Sequence, residues 1–136
     1  MAVTHLRPNM DNWQERMDLA AAFRWTARLN YHEAVANHFS LAVNEDGTRF
    51  LMNPNQSHFS RIKASDIIEI DANNPDTLSG PDAPDPTAWG LHGSLHRNCP
   101  HARCMCIQST QQFWHPSKTA DFFQSIKTVP LFTIAM

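Results

Sequence analysis

The chain has 136 residues and a mass of 15.5 kDa, a length typical of a single domain. Its hydrophobic fraction of 42% is enough for a packed core and argues against a disordered chain. Its net charge of −2 argues against a nucleic-acid-binding surface, because such a surface needs clustered Lys and Arg. No apolar window is long enough to predict a membrane span, and three cysteines without an apolar leader predict a cytoplasmic protein.

The first predicted element is a helix over residues 11–29. Apolar residues recur there at helical spacing, from Trp13 through Met17 to Trp25. Asp11 and Gln14 form a capping-box pattern at its start. Asn30 is a typical residue for ending a helix, so we expect the helix to stop just before it.

A β-hairpin is predicted after this helix. Leu41 and Val43 alternate with their neighbours, residues 45–47 (Glu-Asp-Gly) are typical of a turn, and residues 49–52 begin a returning strand. A third strand is predicted over residues 67–71. These segments indicate a sheet following the first helix.

A loop, a second helix and a further strand are predicted before the periodic pattern of apolar residues ends. Residues 72–86 are rich in Pro, Asp and Asn and predict an irregular surface loop. Thr87 is predicted to cap a second helix that runs to about Asn98, and residues 103–105 begin another strand. From about residue 106 neither strand nor helix periodicity persists. We therefore predict a domain over residues 11–105 and a tail of different origin over residues 106–136.

One candidate site is a cluster of Cys and His within fifteen residues. His92 and His96 would share a helix face, and zinc favours thiolate and imidazole ligands, although no pair of CxxC motifs occurs at zinc-finger spacing. The alternative is one His facing the core, one facing solvent, and cysteines that act as small apolar residues. The cluster consists of His92, His96, Cys99, His101, Cys104 and Cys106.

A second candidate site is rich in amide side chains. The segment 37–40 (Asn-His-Phe-Ser) is predicted to lie in a loop between the helix and the hairpin, and Asn53, Asn55 and Gln56 follow the returning strand. Loops at strand ends commonly carry binding groups, so these residues could bind an anion or a hydroxylated, sugar-like ligand. Alternatively, Asn and Ser are there because they favour turns.

The order of these segments resembles the class II aldolase/adducin family across residues 14–105. The resemblance implies an α/β fold: a three-layer α/β/α domain with a largely antiparallel central sheet, here incomplete at the C-terminus. It also implies assembly as a homo-oligomer and a sugar-phosphate-like ligand. Enzymes of this family are zinc-dependent aldolases and epimerases, whereas adducins use the same domain for protein interaction. The segments that carry the resemblance are residues 37–40 (Asn-His-Phe-Ser), 50–54 (Phe-Leu-Met-Asn-Pro), 65–71 (Ser-Asp-Ile-Ile-Glu-Ile-Asp), 91–97 (Leu-His-Gly-Ser-Leu-His-Arg) and 100–104 (Pro-His-Ala-Arg-Cys).

The resemblance also assigns roles to single residues. Asn37 and His38 stand where aldolases bind substrate through a Gly-Asn pair. The catalytic Glu of the aldolases falls near Ala88, which cannot exchange a proton. His92 matches a helical His of the family, for which we expect packing or support of the site from behind. The phosphate-binding loop of the family corresponds to the segment that contains Asn53, Asn55 and Gln56.

The chain departs from the family just after Cys104. There the family has a strand with His-x-His, whose two imidazoles lie on one strand face and bind zinc. This chain has Met-Cys-Ile-Gln-Ser-Thr over residues 105–110 and ends before a third His ligand. We therefore expect no zinc cofactor in this chain, although intact family members carry one, and no aldolase activity. The alternative is a non-catalytic, adducin-like oligomerisation or interaction domain, which Ala88 favours.

A shift of reading frame is one explanation for this departure. Degenerate codons read from the last base of the Cys104 codon permit His-Val-His-Ser-Ile-Tyr-Ala-Thr-Val-Leu-Ala, which resembles the missing metal strand of the family. The first Val, the Leu and the final Ala of that string are forced by the genetic code. The alternative is a naturally shortened domain whose tail evolved independently.

Overall fold

The computed structural model describes residues 10–32, 37–80 and 83–107, which form a sheet between two helices. All pairings are antiparallel, and the strand order is β3-β2-β1-β4. One helix packs on each face of the sheet, which confirms the predicted α/β class and its layer arrangement. The elements in chain order are α1 (Trp13–Arg28), β1 (His38–Ala42), β2 (Arg49–Met52), β3 (Ile68–Asp71), α2 (Pro86–Asn98) and β4 (Cys104–Ile107).

Helix α1 forms where its apolar spacing predicts, but the predicted capping box is wrong. Asn12 occupies the N-cap position in a left-handed conformation, with φ of 57°, and makes no side-chain capping bond. The Gln14 side chain instead donates to Asp18, and Arg16 donates to the carbonyl oxygen of Asp11. At the other end Asn30 has φ of 59°, which confirms it as the residue that ends the helix.

The β1–β2 hairpin is confirmed, with Ser40 opposite Met52 and Ala42 opposite Phe50. Strand β1 begins at His38, so the prediction that His38 to Ser40 lie in a loop is wrong. The polar side chains at these positions gave the segment the composition of a loop. In the structure they face a buried polar cluster, which sequence composition alone does not reveal.

Two apolar cores lie on the two faces of the sheet because side chains alternate along each strand. On the α1 face, Phe23 packs among Phe39, Leu41 and Leu51 with almost complete burial. On the α2 face, a smaller core contains Phe50, Met52, Ile70, Ala72 and Ala88. The polar cluster described below lies on this second face.

Helix α2 begins two residues earlier than predicted, and its cap is Asp85 rather than Thr87. The Asp85 carboxylate accepts hydrogen bonds from the backbone N–H groups of Thr87 and Ala88, at 2.9 and 3.0 Å. Pro86 occupies the first helical turn, where its lack of an N–H costs no hydrogen bond. In the predicted irregular loop, residues Pro75–Leu78 form one 3₁₀ turn.

Strand β4 pairs with β1, with Met105 opposite Ser40 and Ile107 opposite His38. The predicted domain boundary after residue 105 stays a prediction, since residues 108–136 lie outside the described residues. In the described part of the chain, neither helix combines the length and apolar character needed to cross a bilayer.

We expect Gly47→Ala to destabilise the protein by more than about 1–2 kcal/mol, the usual cost of a left-handed non-glycine residue. Gly47 has φ of +69°, and an added Cβ would lie 2.5 Å from the backbone oxygen of His96. As the control, Gly90→Ala in α2 adds a Cβ into open space and should stabilise the helix by roughly 0.5–1 kcal/mol. Urea denaturation measures both changes, and equal effects would contradict the observed packing of the turn.

Candidate functional site

The candidate site lies where β1 and the middle of α2 face each other. His92 and His96 are one helical turn apart, and both point toward the sheet with exposures of 0% and 1%. The alternative in which one of these histidines faces solvent is therefore wrong. Buried polar side chains at such an interface need hydrogen-bond partners, which β1 supplies.

A chain of polar atoms joins four side chains at this interface, those of His38, Ser40, His92 and His96. Ser40 Oγ lies 2.5 Å from Nδ1 of His92 and 2.7 Å from Nε2 of His96. The other ring nitrogen of His92, Nε2, lies 3.1 Å from Nδ1 of His38. His38 is half-buried, so the chain runs from a partly accessible imidazole to a fully buried one. We call these four residues the histidine chain.

Burial keeps the histidine chain uncharged at neutral pH. Burial is the larger cause that lowers the pKa of His92 to about 3, and the neighbouring His38 and His96 contribute to the same shift because a second positive charge would be repelled. Burial also lowers the pKa of His96 to about 4, an effect that the backbone of Ala102 partly offsets. Burial likewise lowers the pKa of His38, although the Asp85 carboxylate opposes that shift.

Asn37 and Asn53 meet beside the outer end of the histidine chain. Asn53 Oδ1 accepts a hydrogen bond from the backbone N–H of Phe39 at 3.3 Å, and its Nδ2 lies 3.5 Å from the carbonyl oxygen of Asn37. Both amide side chains are buried, with exposures of 1% and 7%. The amide of Asn53 therefore ties the start of β1 to the end of β2.

The structure brings Asn37, His38, Asn53 and His92 together but leaves Asn55 and Gln56 apart from them. Asn55 and Gln56 are exposed, and none of the hydrogen bonds of the described residues joins them to that group. Asn55 instead lines an open cleft of about 640 Å³ at the edge of β3, together with Ser57, Ser65, Asp66 and the paired Arg16 and Glu69.

The residues at this site do not fit the zinc centre that the family resemblance implies. Because side chains alternate along β4, Cys104 and Cys106 face the α1 core, while Met105 and Ile107 lie on the face of Ser40 and His38. Ala88, at the position of the catalytic Glu, is 1% exposed within an apolar core. Over residues 10–32, 37–80 and 83–107, no group of three or more His, Cys, Asp or Glu could hold a metal ion.

Sequence analysis missed the role of Ser40 and the pairing of His96 with it. The available signal was the i, i+4 spacing of two histidines on α2 together with polar residues at alternate positions of β1, His38 and Ser40. Both patterns place polar side chains on one face of a secondary-structure element. They do not show that the two faces meet, because that depends on tertiary packing.

The sequence of this chain is similar to those of known proteins. Residues 17–108 match the family described as the class II aldolase and adducin N-terminal domain. A relative named "Putative aldolase class 2 protein", from Pseudomonas aeruginosa, is 33% identical over 85 residues, which are 62% of this chain and 32% of the relative. An adducin-related protein of Schizosaccharomyces pombe is 30% identical over 94 residues, with coverage of 65% and 29%.

A solved structure of an aldolase II superfamily protein from Pseudomonas syringae superposes with a TM-score of 0.63 at 23% identity. The superposition covers 78% of this chain and 44% of that protein. The chain spans about a third of the length of the two curated relatives described above.

Proposed function

This chain belongs to the class II aldolase and adducin N-terminal domain family, and on that basis we propose that it is a member that does not carry out the zinc-dependent lyase reaction. In this proposal the domain keeps the polar end of β1 as a binding site for a hydroxylated, sugar-phosphate-like ligand. Its described residues do not include the groups that would stabilise and protonate an enediolate derived from that ligand.

The observation that carries this proposal is the set of side chains at the positions of the family's zinc ligands and catalytic Glu, on β4 and at the start of α2. A zinc-assisted aldol cleavage needs a metal held by three or more protein ligands and a group that transfers a proton. Strand β4 presents Met105 and Ile107 on this face, and α2 presents Ala88. These side chains supply no imidazole, carboxylate or thiolate.

The ligand-binding part of the proposal rests on Asn37, His38 and Asn53. Their hydrogen bonds fix the geometry of the strand ends, and the half-buried imidazole of His38 is the most accessible member of the histidine chain. Neutral imidazole and amide groups suit the hydroxyls of a sugar because they exchange hydrogen bonds without requiring a counter-charge.

Turnover of a sugar phosphate tests this proposal. With zinc added, we expect the purified chain to cleave L-fuculose 1-phosphate no faster than a reaction without protein. The control is His92→Gln, which changes the histidine chain and should give the same background. Cleavage by the unaltered chain that disappears in the His92 variant would contradict the proposal.

A second candidate function, adducin-like association, is favoured by the outer face of α1. Three large apolar residues, Met17 and Trp25 on this helix and Leu29 at its C-cap, are 36%, 49% and 38% exposed. Exposed apolar side chains on one element are typical of an interaction surface when they are contiguous. Sedimentation of the unaltered chain and of Trp25→Ala tests this function: association that the substitution weakens supports it, and a monomer at all concentrations contradicts it.

The frameshift hypothesis is part of the proposal, because it would explain why β4 presents Met105 and Ile107 to the site in place of imidazoles. Sequencing the DNA from the codon of Ala102 to that of Gln112 decides it. The hypothesis requires codons for His-x-His in the shifted frame. Their absence would leave a naturally divergent strand as the explanation.

A further inference from the structure

We propose that the outer face of α1 binds the same face of a second copy of this chain, with the two helices antiparallel about a two-fold axis. This inference rests on the second candidate function, association through α1, and adds the partner and the orientation. The evidence is that the exposed side chains of α1 complement one another when the helix is reversed end to end.

The exposed apolar residues of α1 form one continuous stripe. Met17, Ala21 and Trp25 follow one another every four residues, and Leu29 continues the series at the C-cap. Residues four apart lie one above the other on a helix surface, so the stripe forms a ridge about 18 Å long. Phe23, halfway along the stripe in sequence, points the opposite way into the core. The stripe therefore lies on the side of α1 that is farthest from the sheet.

Two antiparallel copies of this stripe place unlike apolar residues opposite each other. Met17 of one copy lies opposite Leu29 of the other, and the same contact occurs twice because a two-fold interface is isologous. Ala21 of one copy likewise lies opposite Trp25 of the other. The small side chain of Ala21 leaves room for the indole ring, so the helices can approach closely. A parallel two-fold pair would instead place the two Trp25 rings opposite each other.

Two charged side chains beside the stripe favour the same orientation. In the antiparallel pair, Asp18 of one copy lies at the level of Arg28 of the other, at both ends of the interface. Within the described part of the chain, Asp18 accepts a hydrogen bond only at Oδ1, from Gln14 at 3.0 Å, which leaves Oδ2 for the second copy. A parallel pair would bring Asp18 to Asp18 and Arg28 to Arg28, so charge selects the antiparallel pair.

The cation of this charge pair is held over the stripe by its own chain. The Arg28 guanidinium lies 5.3 Å from the centre of the Trp25 ring, which is a cation–π distance. Arg24, the neighbouring exposed cation, is held to the body of its own chain because its Nε donates to the carbonyl oxygen of Ile62 at 3.1 Å. Arg28 is therefore the cation of α1 that is placed to meet Asp18 of a second copy.

A second copy fits this face better than a partner of uniform charge. An acidic partner would attract Arg28 but would be repelled by Asp18, and a basic partner would do the reverse. The same helix reversed satisfies both charges at once. An interface made by one helix per copy falls below the roughly 1,200–2,000 Å² that stable interfaces bury. We therefore expect a weak, reversible dimer with a Kd in the micromolar range or above.

Reversing the two charges tests the inference by sedimentation equilibrium of the full chain. We expect Asp18→Arg and Arg28→Asp each to raise the dimer Kd at least about tenfold, because each places like charges together at both ends of the interface. Both changes in one chain restore opposite charges, and the Kd should return to within about threefold of the unaltered value. The matched control is Arg97→Asp, which makes the same change of charge on α2, across the sheet, and should leave the Kd unchanged.

The outcomes separate the inference from the association function. Association that Trp25→Ala weakens, but that the charge variants leave unchanged, would uphold the function and overturn the antiparallel pair. Failure of the double variant to recover would overturn the pair in the same way. A monomer at every concentration of the unaltered chain would contradict both. Far-ultraviolet circular dichroism checks that each variant folds, and if one single variant does not, an unchanged Kd in the other still overturns the inference.

Discussion

The free energy of unfolding is expected to fall steeply as the pH drops from 6.5 toward 4. His92 and His96 have pKa values lowered to about 3 and about 4 in the fold, against 6.5 for an ordinary His. Below pH 6.5 the unfolded chain therefore binds protons that the fold excludes. The contribution of these two histidines to stability is complete above pH 6.5. It is lost as the pH falls toward their lowered pKa values in the fold.

The expected loss is up to about 1.4 kcal/mol per pH unit for each buried neutral histidine, or about 2.8 kcal/mol per pH unit for the two. A small domain has a free energy of unfolding of roughly 5–15 kcal/mol, so this slope is enough to unfold it in mild acid. Urea denaturation at pH 7, 6 and 5 measures the slope in a range where carboxylates contribute little.

Two variants identify the source of that slope. His96→Gln keeps a polar side chain without a titrating group and should reduce the slope by up to about 1.4 kcal/mol per pH unit. His101→Asn removes an exposed histidine outside the histidine chain and should leave the slope as it is. Equal slopes in the unaltered chain and in His96→Gln would show that the buried imidazoles are not the cause.

Phe23→Ala is expected to lower the free energy of unfolding by about 3–5 kcal/mol. Phe23 has no exposed surface, and its ring stacks on Phe39 at 5.1 Å and meets the edge of Phe59 at 4.5 Å between ring centroids. Truncation removes these contacts and leaves a cavity between α1 and the sheet. Urea denaturation followed by far-ultraviolet circular dichroism measures the loss.

Leu91→Ala is the matched control for Phe23→Ala. It also truncates a large apolar side chain within a helix, but Leu91 is 41% exposed and belongs to neither core. Its effect should stay within about 0.5 kcal/mol, as for most surface substitutions. A loss at Leu91 equal to that at Phe23 would contradict the assignment of the core.

Regular periodicity made most elements predictable from the sequence. The spacing of apolar residues along α1, the turn ending in Gly47 and the Ile-rich β3 each indicate their structure through local chemistry. The capping box failed because Asn12 adopts a left-handed conformation, which releases Gln14 to pair with Asp18. Helix ends depend on a few dihedral angles, so sequence patterns predict them less well than helix interiors.

The candidate site was only partly predictable, because its residues are joined by tertiary contacts. The sequence indicated Asn37, His38, Asn53 and His92 through the family resemblance, and the structure places them together. It gave no sign that Ser40 links two buried histidines, since a serine in a polar segment is typical of a turn. The burial of His96 likewise depends on how α2 sits on the sheet.

Equilibrium dialysis of the purified full chain against zinc, with the bound metal counted per polypeptide, tests the central claim most directly. Because Met105, Ile107 and Ala88 supply no metal ligand, we predict far less than one zinc per chain at micromolar free metal. One zinc per chain, lost on replacing either His38 or His92 by Ala, would show that these imidazoles anchor a metal centre and would contradict the claim.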